Sequence, residues 1–115
     1  MPRYLLLPYE TPTTFASQNP SEMKAIIRRY GAWTKGLART GALVVGEKLK
    51  DGEGRRLKRK GSGVQVAEGP TGESGKELIG GLWIIKAKSY DEAVQLAENC
   101  PHLDYGVLVI RAMEG

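Results

Sequence analysis

Five ionisable side chains carry the first chemical reading of this sequence. Glu68, Glu73, Lys76 and Glu77 fall on one glycine-rich loop, and Glu47 lies on a neighbouring strand. Carboxylates gathered between two strands can line a polar pocket and pass protons to and from a bound molecule. The same groups would serve as surface ion pairs, each worth under about 1 kcal/mol. On the pocket reading Glu47 and Glu73 are the candidate catalytic pair. Glu68, Lys76 and Glu77 then complete the polar lining, with Tyr30 or Trp33 as an apolar wall.

Other motifs fit poorly. Gly69-Pro70-Thr71-Gly72-Glu73-Ser74-Gly75-Lys76 looks like a phosphate-binding loop, but it holds one residue too many. Glu77 stands where a magnesium-binding hydroxyl is needed, and the segment runs into a strand with no helix N-terminus to receive an anion. Arg55, Arg56, Lys58, Arg59 and Lys60 form a basic run that alternation divides between two faces of a strand. No aromatic side chains interleave it for base stacking, so a solvated, charge-protected edge is favoured over nucleic acid. His102 is the single histidine and lacks metal-ligand spacing to Cys100, so no metal and no cofactor is expected. It reads as a solvated loop histidine, with pairing to Asp104 as the chemical alternative, and Cys100 reads as a buried structural thiol.

The elements that must position these groups are marked by caps and periodicity. Tyr4–Leu7 reads as a first strand, followed by a loop through Pro8 and Pro12. Asn19-Pro20-Ser21-Glu22 has the form of a capping box with proline in the first turn. Met23, Ile26, Ile27, Tyr30, Trp33 and Leu37 then recur at helical spacing on one face, and Gly41 ends the helix. Residues 42–49 read as a strand with Gly46 a candidate bulge. The basic run and Val64-Gln65-Val66 flank a glycine turn and suggest a hairpin. Residues 78–87 read as a central strand, Ser89-Tyr90-Asp91-Glu92 as a second capping box, and residues 106–113 as a last strand. The order is β-α-β, a hairpin, then β-α-β. That is an α+β, ferredoxin-like βαββαβ domain with an added β-hairpin strand.

With 115 residues there is room for one domain, spanning 1–115. No apolar run reaches the ~18 residues of a membrane helix, the opening residues lack a signal-peptide core, and one cysteine cannot make an internal disulfide. No membrane partner and a cytoplasmic location are therefore expected. Both faces of the sheet carry apolar residues, so the face without helices invites a second copy, and a homodimer is expected.

Glu68-Gly69-Pro70-Thr71-Gly72-Glu73 through Gly80-Gly81, with Tyr4-Leu5-Leu6-Leu7, Asn19-Pro20-Ser21-Glu22, Gly46-Glu47 and Cys100-Pro101, resembles the DGPF branch of the YCII-related family. Glu68 stands where that branch has aspartate, and Thr71 where it has phenylalanine. The resemblance implies a two-layer sandwich forming a dimeric α+β barrel, in a family most of whose members have no assigned reaction. It points to binding of an unknown small organic molecule, with carboxylate-based proton transfer as the chemistry the inventory permits. The alternatives are a non-catalytic interaction or regulatory module of the sigma-factor-associated type and, last, nucleic-acid binding through the basic strand.

Overall fold

The computed structural model describes residues 1–70 and 76–115. β1 (Arg3–Glu10), α1 (Pro20–Arg39), β2 (Leu43–Lys48), β3 (Arg55–Lys60), β4 (Gly63–Glu68), β5 (Leu78–Ile79), β6 (Gly81–Lys86), α2 (Tyr90–Ala97) and β7 (Val107–Ala112) follow in order. A short 3-10 turn, Pro101–Asp104, leads into β7. β7 runs along one side of β1, while β6, continued by β5, runs along the other. β2 adds beyond β6, and every pairing is antiparallel. With both helices on one face, this is the ferredoxin-like order in an α+β domain. β3 and β4 pair only with each other among the described residues.

The caps act as their residue types require. The Asn19 side chain accepts from the Glu22 amide at 2.8 Å, and the Asn19 amide donates to the Glu22 carboxylate at 3.0 Å. The second box is modified: Ser89 Oγ accepts from the Glu92 amide, but the Glu92 carboxylate accepts from the Lys88 amide instead. No helix is long and apolar enough to cross a membrane among the described residues.

Alternation along β1 sets the layers. Tyr4 and Leu6 turn toward the helices with Trp83, Ile85 and Leu37, and Leu6 and Ile85 are completely buried. Leu5 and Leu7 point the other way, opposite Ile84 and Val109, onto a face that no element covers among the described residues.

Three boundaries differ from the sequence reading. β1 runs through Pro8 to Glu10, and the Pro8 carbonyl accepts from the Gly80 amide at 3.0 Å. In a strand the N and O of one residue point the same way, so the missing Pro8 donor faces the break between β5 and β6. The 78–87 run is therefore two strands parted at Gly80. The irregularity in β2 lies between Leu43 and Val45, and Gly46 pairs regularly with Trp83. A Cβ at Gly46 would come within 3.1 Å of the Trp83 ring, so glycine there makes room for the indole.

Candidate functional site

A cavity of about 720 Å³ opens between α1 and the end of the sheet where β1 and β2 finish and β6 begins. Met23, Ile26 and Ile27 line it from the helix, Pro8 and Trp83 from the sheet, and Phe15 from the loop after β1. That size and apolar wall suit a small organic molecule. Trp83 is held in the wall because its Nε1–H donates to Thr34 Oγ1 at 3.0 Å, while the Thr34 hydroxyl donates to the Tyr30 carbonyl at 2.9 Å.

His102 and Tyr30 supply the polar end. His102 is 1% exposed, which corrects the reading of a solvated loop histidine. Its Nε2 lies 2.7 Å from the Tyr9 carbonyl and its Nδ1 lies 2.8 Å from the Tyr30 hydroxyl. A carbonyl only accepts, so Nε2 carries the proton; in the neutral ring Nδ1 is then the acceptor and the Tyr30 hydroxyl its donor. Gly106 permits this geometry. A Cβ there would collide with the Tyr9 carbonyl and come within 3.0 Å of His102 Nε2. Asp104 plays no part with the imidazole, because it pairs with Arg29 at 2.7 Å on the surface. Burial, with the nearby Cys100, Glu10 and Tyr105, pushes the Tyr30 phenol well above its ordinary value. Tyr30 therefore stays protonated.

Glu10 is the second polar element. Its side chain lies across Gly80, where any Cβ would collide with the carboxylate. Half-burial raises its pKa above the ordinary value, with Asp51 adding to the rise and Lys48 and His102 opposing it. Lys48 is engaged by Asp51 at 2.8 Å and by the Leu49 carbonyl at 2.6 Å. Glu10 is thus poised to hold or release a proton nearer neutrality than a solvated carboxylate.

Of the charged groups named from the sequence, the four within the described residues are not brought together. Tyr30 and Glu47 border the cavity, but Glu47 is exposed, and pairing with Leu82 turns its side chain to the face opposite Gly46 and Trp83. Trp33 is outside the lining and packs edge-on against Trp83, with ring centroids 5.0 Å apart. Glu68 ends β4 and faces Arg55 at 4.0 Å in an exposed pair. Lys76 and Glu77 are exposed and outside the lining, and Glu73 lies outside the described residues, as does most of the phosphate-loop-like segment. Cys100 is buried, and burial raises its thiol pKa, leaving an inert sulfur. No cluster of metal-ligating side chains occurs among the described residues.

Sequence reasoning missed Glu10, and it placed His102 in solvent with Asp104 as its only candidate partner. Glu10 lay beyond a proline taken to end β1. The partners of His102 are a backbone carbonyl and a phenol far along the chain, neither of which leaves a local motif.

The family model described as YCII-related domain matches residues 2–114. No curated relative matches the chain. Among solved structures the chain is similar to 5-chloro-2-hydroxyhydroquinone dehydrochlorinase (TftG) from Burkholderia phenoliruptrix AC1100, in complex with 2,5-dihydroxybenzoquinone. The identity is 19% and the TM-score 0.48, over 97% of this chain and 93% of that one.

Proposed function

The chain belongs to the YCII-related domain family, and from that premise we propose that its cavity binds a small hydroxylated organic molecule and exchanges a proton with it. The observation that carries this reading is the Tyr30 hydroxyl held on the free nitrogen of a tautomer fixed by the Tyr9 carbonyl. A ligand hydroxyl that donates to the Tyr30 oxygen can lose its proton there as Tyr30 passes its own to Nδ1. The products are a ligand oxyanion and an imidazolium, whose two N–H groups already face acceptors. No reorganisation of the ring is needed, which is the condition for an efficient base. Glu10, its pKa raised mainly by burial, is the candidate acid for the return step.

The test uses 4-nitrophenol, whose absorbance reports its ionisation, with Trp83 fluorescence reporting occupancy. Bound probe is expected to ionise at lower pH than free probe, and Tyr30→Phe to remove that shift while leaving Trp83 quenching in place. Absence of quenching, or an unchanged shift in Tyr30→Phe, sinks the reading in favour of a non-catalytic interaction module.

Within the family, the Glu68-Gly69-Pro70 turn, with Gly69 at a φ of +99°, supports placement in the DGPF branch. The uncovered face around Leu5, Leu7, Ile84 and Val109 supports assembly as a homodimer, two sheets packed face to face in an α+β barrel.

A further inference from the structure

The β3–β4 hairpin projects from the body as an arm. Its base is tied by the Gly69 amide donating to the Gly54 carbonyl at 2.9 Å, and beyond that tie its strands pair with no other element among the described residues. The radius of gyration is 16.0 Å, against about 13 Å for a compact chain of this length. The molecule measures 47 × 41 × 18 Å, and the short axis admits only the helix and sheet layers. The arm therefore extends sideways and does not fold back over its own body.

Register gives the arm two unlike faces. Leu57, Val64 and Val66 share one, at 65%, 49% and 55% exposure, flanked by Arg55 with Glu68 and by Arg59. Arg56, Lys58 and Lys60 occupy the other. A two-stranded hairpin in water is marginal by itself, and an apolar centre within a charged rim is how a protein interface is built. We propose that the arm's apolar face clasps a second copy of this chain, an inference that rests on the face-to-face dimer proposed above.

Area argues for the same occupant. Four strands about 4.8 Å apart over about six residues give the open sheet face a footprint of roughly 400 Å². A stable interface buries about 800 Å² on each partner. The arm presents roughly another 200 Å² by the same spacings. Under two-fold symmetry each protomer contributes its open face, its arm and the surface that the partner's arm covers, which brings the burial to about the required size.

Sedimentation velocity on the full chain tests this. Wild type is expected to be a dimer at micromolar concentration. Leu57→Asp with Val66→Asp is expected to raise the dimer dissociation constant at least about tenfold, since two apolar contacts per arm are lost. Lys58→Glu with Lys60→Glu, on the solvated face, should leave it within about twofold. Amide exchange over residues 55–68 should slow as protein concentration rises through the dissociation constant, a readout that needs no variant. A dimer equally tight in the Leu57/Val66 variant overturns the arm alone, whereas a wild-type monomer overturns the dimer as well. Salt-sensitive binding of a single-stranded oligonucleotide that is lost in Lys58→Glu with Lys60→Glu, with dimerisation unaffected by the Leu57/Val66 variant, makes the arm a nucleic-acid surface and overturns the clasp.

Discussion

The His102 end of the cavity and the 55–68 arm put their residues to opposite uses. At His102 every polar atom has a partner, a glycine is required for clearance, and the ring is buried. Along the arm nearly every residue is exposed, and the hairpin ladder is the main tie. One region is determined by its own fold, while the other has little beyond its own ladder to hold it among the described residues. Substitutions should therefore be severe at the first in the isolated protomer and nearly silent at the second.

His102→Ala is the largest expected effect. It leaves the Tyr30 hydroxyl and the Tyr9 carbonyl without their partner and opens a cavity, for a loss of about 3 kcal/mol in denaturant unfolding. A loss under about 1 kcal/mol would erase the contrast. Gly106→Ala comes next, at roughly 2 kcal/mol, because the Tyr9 carbonyl is backbone and cannot swing aside. Asn19→Ala removes a cap on the helix that carries Tyr30, and should cost about 1 kcal/mol of stability. Leu57→Ala should change unfolding of the monomer by less than about 0.5 kcal/mol, and only the dissociation constant of the proposed dimer should register it.

A pH prediction sharpens the same comparison. The folded-state pKa of Glu10 is raised, mainly by burial, so its protonated form is favoured in the folded protein. The stability it contributes is fully present below its unfolded value and is lost as pH rises through the folded one. Glu10→Gln should therefore gain thermal stability relative to wild type as pH rises from about 4 toward neutrality. A difference that stays flat with pH would show that Glu10 is not held protonated by the site.

The sequence made the scaffold legible wherever one segment encodes its own geometry. Asn19-Pro20-Ser21-Glu22 fixed the start of α1, and the Tyr30 stripe identified the face that borders the cavity. The glycine turn between Lys60 and Val64 marked the arm. The chemical end of the cavity was illegible for a physical reason. Charge clustering drew attention to Glu68, Lys76 and Glu77, which are solvated. Glu10 and His102 act through burial, which depends on how β1, β6 and the turn before β7 pack. Gly80 and Gly106 are the traces of that packing in the chain, but in the sequence each falls within a segment read as a strand, with nothing to show what its missing side chain makes room for.

Tyr9 has a double position in this arrangement. Its side chain follows Leu5 and Leu7 onto the open face, while its carbonyl fixes the ring of His102. A carbonyl belongs to every residue type, so replacing the phenol leaves the acceptor where it is. The open face can thus be redesigned at this position without changing which nitrogen of the histidine behind it carries the proton.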